Sequence, residues 1–385
     1  MSTSSTTEPQ HPPQMQVSYC INPICPQRQN SDNLESCQAC GSPLLINNRY
    51  RLIAPLRPLD EYDQAEVFEI EDLGVEALQG ETYKVLKVLK TNSSTSVRLF
   101  QQEAETLKKL NHPGIPRVEL TDGYFTISLP RKLQPLHCLV MEKIQGENLE
   151  NWVNKNGSIS QEQALTWLKQ LLEILEHLHQ QQYLHRDIKP SNIMLRPTGQ
   201  LVLIDFGALR QITNTFLFRL GMRPEDTGTG ILSIGYTALE QIKGRAVPQS
   251  DLYALGRTFV HLLTGKHPCE LDEDPQTGNL IWREYAQQIS EPLADWIDYL
   301  MATSPWQRPP NASFVLNRLE EGLFPPQIAQ PAPPTLRWLI ILNVLIFCIL
   351  LVSGGQWFQR QQNQWQVSPE KNSPAKTRKQ LVIPQ

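Results

Sequence analysis

The chain has 385 residues, 40% hydrophobic and 19% charged, with 35 basic against 39 acidic side chains and a net charge of −4. At roughly 100 to 200 residues per domain this length excludes a single small module. The balanced charge excludes a chain disordered throughout and a basic protein that coats nucleic acid, so no nucleic-acid partner is expected. The 30 prolines, about 8% against a usual ~5%, point to proline-rich linkers.

Residues 1–19 are rich in Ser, Thr, Pro and Gln and contain no apolar run, which argues against a secretory signal peptide and predicts disorder. Four of the seven cysteines then crowd into the segment 20–47: Cys20 and Cys25, four residues between them, and Cys37 and Cys40, two between them, with Gly41 directly after. Two such pairs about a dozen residues apart can bring four thiolates into a tetrahedron around a structural zinc ion, and Gly41 leaves room for amides to turn toward sulfur. A disulfide pair or redox switch is the alternative, although in a reducing cytosol paired cysteines are more often metal-bound.

From 48 to 324 strand and helix signals alternate without a long break, as in one mixed α+β body. Beta-type runs come first: Arg51 to Leu56, Glu66 to Glu71, Thr82 to Leu89 and Cys138 to Glu142. Between the first two stand Arg57, Pro58, Leu59, Asp60, Glu61, Tyr62, Asp63 and Gln64, with no glycine. Phe100 to Pro113 reads as a helix in which Phe100, Ala104, Leu107 and Leu110 share the apolar face and Glu103 borders it. Ser160 with Gln163 makes a capping box ahead of Ala164, Leu168, Leu171, Leu172, Leu175 and Leu178, all at helical spacing. His185, Arg186, Asp187, Ile188, Lys189, Pro190, Ser191 and Asn192 lead into a strand-turn-strand unit, Asn192 to Leu195 and Leu201 to Ile204, with Asp205, Phe206 and Gly207 directly behind it.

The segments His185–Asn192 and Asp205–Gly207 resemble, in order and spacing, the catalytic-loop and metal-binding signatures of the eukaryotic-type protein kinases. The resemblance covers about Tyr50 to Phe324 and implies a bilobal fold, a β-rich small lobe on a helical large lobe. It implies that Asn192 and Asp205 offer oxygen ligands to Mg²⁺ or Mn²⁺, that Asp187 accepts or orients the proton of the attacking hydroxyl, and that Lys189 places positive charge beside the transferring phosphoryl group. Lys189 with Pro190, Ser191 and Asn192 resembles the Ser/Thr branch of the family. Tyr83 to Leu89 resembles its third strand, making Lys87 the lysine that contacts ATP phosphates and Glu103 its ion-pair partner. Lys84 and Lys90, three residues away, point to the opposite face. Leu139 to Gly146 resembles the segment joining the lobes, which implies adenine contacts from the main chain of Glu142 and Ile144 and places Met141 at the pocket's inner wall.

Ala238, Leu239 and Glu240 stand where the family has Ala-Pro-Glu, with Arg308 as the buried partner, and Asp251 is expected to hold the backbone of the catalytic loop. Arg186 implies control by phosphorylation within the segment 205–240, where Thr213, Thr215, Thr227 and Thr229 are candidates. Ser233, close before Gly235 and Tyr236, is expected to meet the substrate rather than act as the switch. The cysteine pattern resembles the four-cysteine zinc ribbons that precede some bacterial, notably cyanobacterial, Ser/Thr kinases, where it would bind a partner or cap the start of the kinase body.

One feature departs from the family. The glycine-rich loop is missing, Pro58 removes an amide donor, and Asp60, Glu61 and Asp63 put negative charge where a polyphosphate would lie. Lost positioning of this kind costs about 1 to 3 kcal/mol, one or two decades of rate. Two functions therefore stand. One is an ATP-dependent Ser/Thr protein kinase that retains Lys87, Glu103, Asp187, Asn192 and Asp205 because they work. The other is a kinase-fold binding or scaffold module.

Pro325, Pro326, Pro331, Pro333 and Pro334 make 325–337 an extended spacer. Residues 338–359 contain no Asp, Glu, Lys, Arg or His; as a helix they would span about 33 Å, enough for a hydrocarbon core of ~30 Å. Trp338 and Trp357 sit near the ends as interface anchors, so a single-pass membrane helix is expected, followed by a disordered tail over 360–385. Use of ATP puts the kinase body in the cytosol. The bias of positive charge, Arg360, Lys371, Lys376, Arg378 and Lys379 after the span against Arg318 and Arg337 before it, instead favours a cytosolic tail.

Overall fold

The structure, a computed structural model, describes residues 17–60, 63–74, 82–130, 134–211 and 233–322. Two short strands open it: β1 (Val17–Tyr19) and β2 (Gln29–Ser31) pair antiparallel with Val17 opposite Ser31. Residues 17–19, expected at the end of a disordered start, are therefore ordered by pairing with β2 and by burial of Ser18. Cys20 and Cys25 lie on the connection between these strands. Gly41, just past Cys40, takes the left-handed φ of +72° that turns the chain back, and its amide donates to the Cys37 carbonyl at 2.8 Å.

Six strands then form one antiparallel sheet in the order β3-β4-β5-β6-β8-β7: β3 (Leu45–Ile46), β4 (Tyr50–Pro55), β5 (Ala65–Asp72), β6 (Tyr83–Leu89), β7 (Tyr124–Ile127) and β8 (Leu136–Glu142). The period of two is explicit in β5, where Glu66, Phe68, Ile70 and Asp72 are buried and the residues between them half-buried. β7, four residues at the sheet edge and largely half-buried, carries too weak an alternation to be read from sequence.

The two faces of this sheet have different covers. On one, Phe68 and Ile70 pack with Tyr50, Leu52, Leu86, Val88 and Val140, and Ile21 from the cysteine module is fully buried among them. Arg28 seals that contact with both guanidinium nitrogens on Glu66, at 3.0 and 2.9 Å, and with its charge 5.2 Å from the centre of the Phe68 ring. The cysteine module is thus a cap on the sheet. On the other face lies α1 (Ser94–Lys109), which buries Phe100, Glu103, Ala104 and Leu107. It begins six residues before Phe100 because Ser93 caps it, accepting from Ser96 N at 3.0 Å, although its first turns are polar.

The large lobe comprises β9 (Glu147–Asn148), α2 (Leu149–Asn156), α3 (Gln161–Gln180), β10 (Tyr183–Leu184), β11 (Ile193–Leu195), β12 (Leu201–Leu203), β13 (Arg210–Gln211), α4 (Leu239–Ile242), α5 (Pro248–Thr264), α6 (Glu291–Leu300) and α7 (Ala312–Glu320). In α3 the capping box forms, Gln163 N to Ser160 Oγ and Ser160 N to Gln163 Oε1, both at 3.2 Å. Its six predicted apolar residues are all buried, each leucine contributing roughly 1.5 to 3 kcal/mol of transfer free energy. They pack in one core with Leu252, Leu255 and Phe259 of α5 and Ile297 of α6. The predicted strand-turn-strand unit is the β11–β12 hairpin, with Ile193 opposite Leu203.

The spacer, the apolar segment 338–359, the tail, and Thr213, Thr215, Thr227 and Thr229 all lie outside the described residues. Among the described residues no helix is long and apolar enough to cross a membrane.

Candidate active site

The loop between β10 and β11 is shaped by a carboxylate from another element. Asp251, in the first turn of α5 and fully buried, accepts from His185 N at 3.0 Å, Arg186 N at 2.8 Å and His179 Nε2 at 2.9 Å. Burial alone would raise its pKa; the His179 bond and the Arg186 amide outweigh that and hold it below the ordinary carboxylate value. The same tether keeps Arg186 at a left-handed φ of 70°, with Gln241 Nε2 on its carbonyl at 2.7 Å. This is the expected role of Asp251. His179, on α3, was not singled out from sequence: as one polar residue in an apolar stripe it carries no local signal of its distant partner.

The loop presents Asp187, whose carboxylate is held from three sides. Ser233 Oγ donates to Oδ1, Asn192 Nδ2 to Oδ2 at 2.8 Å, and Lys189 Nζ lies 3.1 Å from Oδ2. Lys189 also donates to Ser233 Oγ at 2.8 Å. Ser233, expected near the substrate, is therefore a direct neighbour of both Asp187 and Lys189. Because the Asn192 nitrogen is committed to Asp187, its amide oxygen faces away from that carboxylate. The main-chain carbonyl of Asn192 accepts from Ile204 N at 2.8 Å, which brings the next residue, Asp205, alongside.

Asp205 sits at a left-handed φ of 65°. Its Oδ1 lies 3.1 Å from Lys87 Nζ, and Lys87 in turn meets both Glu103 oxygens, at 2.7 and 3.0 Å. β6 and α1 supply Lys87 and Glu103 from facing surfaces, the pairing the sequence predicted. Lys87, foremost, depresses the Asp205 pKa far below the ordinary range despite burial, and Arg57 adds to the effect. For Lys87 burial works the other way, but Asp205 and Glu103 prevail and keep it charged. Gly207 completes the geometry: a Cβ there would stand 3.0 Å from Lys87 Nζ and 3.4 Å from Asp205 Oδ1. Lys84 does point elsewhere, to Asp72 and Glu119.

Arg57 carries no local sequence signal of its place in the site. It is the first residue of the glycine-free loop, and its Nη1 and Nη2 lie 3.3 and 3.2 Å from Asp205 Oδ2. The loop's acids suggested a negative lining; its arginine instead brings positive charge into the cleft.

Met141 and Glu142 end β8, and Ile144 follows as a buried residue. The Glu142 carboxylate accepts from Arg196 Nη2 at 2.5 Å and from Arg117 N at 3.1 Å, tying the connection between the lobes to the β11–β12 turn. Glu240 meets Arg308 at 2.6 Å as expected, with Arg308 buried. Arg186 is half-buried, and its buried Nε has no hydrogen-bond partner among the described residues.

At the cysteine module the four Sγ atoms lie within 4.8 Å of one another, with Cys20 to Cys40 at 3.5 Å and Cys25 to Cys37 at 3.6 Å. A disulfide would need about 2.0 Å. Four sulfurs each about 2.3 Å from a tetrahedral zinc would stand about 3.8 Å apart, so the donor set fits that ion. Ser42 Oγ lies 3.2 Å from Cys40 Sγ and Asn30 Nδ2 3.5 Å from Cys37 Sγ, suitable outer partners for thiolate ligands.

The chain's residues 73–318 match the protein kinase domain family. The match begins just after β5, so the glycine-free hairpin lies outside it. Serine/threonine-protein kinase B of Synechocystis sp. is 34% identical over 329 residues, 82% of this chain and 54% of that protein. Serine/threonine-protein kinase PknA of Nostoc sp. is 34% identical over 296 residues, 75% and 50%. Serine/threonine-protein kinase C of Synechocystis sp. is 36% identical over 282 residues, 72% and 50%. The chain thus spans about half the length of these curated relatives. With 73–318 of its 385 residues matched, the chain belongs to the protein kinase family.

Proposed function

We propose that the chain is an ATP-dependent serine/threonine protein kinase that transfers the γ-phosphoryl group of ATP to hydroxyls of protein substrates. The observation that carries this reading is that Lys87 and Glu103 of the small lobe meet Asp205, whose neighbour Ile204 is bonded to Asn192 of the loop that carries Asp187 and Lys189. Asp205 stays ionised and Asn192 offers a neutral oxygen, a donor set that suits Mg²⁺ or Mn²⁺. A bound cation of this kind neutralises charge on the triphosphate. Lys87, fixed by Glu103, binds phosphate oxygens. Asp187 orients the attacking hydroxyl and accepts its proton, and Lys189, already beside Asp187, stabilises charge on the phosphoryl group in flight. Main-chain groups of Glu142 and Ile144, with Met141 behind them, take the adenine edge.

The decisive assay measures phosphate transfer from ATP and magnesium to a generic protein, wild type against Asp205→Ala. Transfer in the wild type and none in the variant is expected. Equal background in both would leave the chain a kinase-fold binding or scaffold module, a reading favoured by the glycine-free loop alone.

Two attachments complete the proposal. Cys20, Cys25, Cys37 and Cys40 hold a structural zinc ion; metal analysis of the reduced chain should return one zinc per molecule, and none would refute the site. Residues 338–359 anchor the chain in a membrane as a single helix, with the kinase body in the cytosol. Proteolysis of the tail from the cytosolic side would overturn that orientation.

A further inference from the structure

We propose that Arg57 is a phosphate-binding residue, a side chain that performs for a nucleoside triphosphate the service a glycine-rich loop performs with backbone amides. The inference rests on the nucleotide-binding part of the function proposed above. It starts from position. Leu56 N donates to Val67 O at 2.8 Å, closing the β4–β5 hairpin, and Arg57 is the next residue out. From there its guanidinium reaches Asp205, 148 positions along the chain.

Three physical arguments point to phosphate as its working partner. The first is charge. Lys87 and Arg57 face Glu103 and Asp205, two cations against two carboxylates, so the group is neutral; without Arg57 it would be negative by one charge, which disfavours a polyanionic ligand. Asp60 and Asp63 stand exposed in the same loop and oppose this effect, while Lys90 Nζ, on the main-chain carbonyl of Asp60, adds a positive charge to it.

The second argument is the weakness of the present contact. Both guanidinium nitrogens share one oxygen, Oδ2, at 3.2 and 3.3 Å, and the Arg57 side chain is 48% exposed. A half-exposed pair of this kind contributes little to stability, so exchanging the carboxylate for a phosphate oxygen costs little. The third is shape: a guanidinium fork matches phosphate oxygens with two parallel donors, whereas Pro58 beside it offers no amide.

The test is calorimetric titration of the full chain with a non-hydrolysable ATP analogue plus magnesium and, separately, with adenosine. Wild type, Arg57→Ala and Arg57→Lys are compared, and ligand-free unfolding checks that each variant is folded. Arg57→Ala should weaken the triphosphate about 10- to 100-fold, the worth of one charge-assisted hydrogen-bonded contact, leave adenosine unchanged, and be partly rescued by Arg57→Lys. Unchanged triphosphate affinity would overturn the proposal, as would equal losses for both ligands. Tighter triphosphate binding would also overturn it, making Arg57 a plug on Asp205. A wild type that binds neither ligand sinks this proposal together with nucleotide use. A wild type whose binding depends on Arg57 but which transfers no phosphate sinks only the kinase activity.

Discussion

Two carboxylates, Asp205 and Asp72, each face two cations, with opposite consequences. Asp205 is partly accessible, and its partners Lys87 and Arg57 are the groups proposed to meet nucleotide. Asp72 has no exposed side-chain surface and is saturated, by Arg49 Nε and Nη2 at 2.7 and 2.8 Å, Lys84 at 2.8 Å and Gly74 N at 3.0 Å. Burial pushes the Asp72 pKa up, but Arg49 and then Lys84 outweigh it, so the folded value is depressed. A depressed carboxylate stabilises fully above its unfolded pKa, about 3.9, and progressively less as pH falls through the folded value. Asp72→Asn should therefore cost about 3 kcal/mol near neutrality, and the gap from wild type should shrink below about pH 4. Denaturant unfolding at several pH values measures both; a gap independent of pH would mean that the carboxylate's charge is not what the site uses.

At the scale of elements, the cysteine module and β5 are joined by one buried ion pair. Arg28 donates to Glu66 with both ends of its guanidinium, to the Cys20 carbonyl at 2.9 Å with Nε, and covers Phe68. Arg28→Met leaves Glu66 buried without a partner and should destabilise by about 3 kcal/mol, whereas Arg28→Met with Glu66→Leu should recover most of the loss, since a well-packed apolar pair often equals a buried ion pair. Thermal unfolding of the single and double variants tests this. A double variant as unstable as the single would show that the contact depends on charge rather than on filling the joint.

For the molecule as a whole, the same joint makes the cysteine module part of the kinase body. Ile21 shares the core of Phe68, Ile70, Leu86 and Val88, strands that also carry or flank Lys87. Removing the zinc proposed for the four cysteines should lower the unfolding midpoint and raise amide exchange in β4, β5 and β6, not only in the module itself, because the cap on that face loosens. Exchange that rises only over residues 17–47 would show the module to be energetically separate.

The segments that make up the candidate site were legible in the sequence because they rest on local order. His185 to Asn192 and Asp205 to Gly207 are short consecutive segments; the resemblance to the family's third strand pointed to Lys87, and the helical period placed Glu103 beside the apolar face. The cysteine cluster and the apolar stripe of α3 were equally plain, one by spacing and the other by a 3.6-residue period. What escaped were contacts between residues far apart in the chain: His179 on Asp251, Arg28 on Glu66, and above all Arg57 on Asp205. A lone arginine among three acids reads as part of a negative loop. Only the folding of the β4–β5 hairpin decides that its guanidinium reaches the Asp205 carboxylate, because Coulomb interaction depends on distance in space and not on position in the chain.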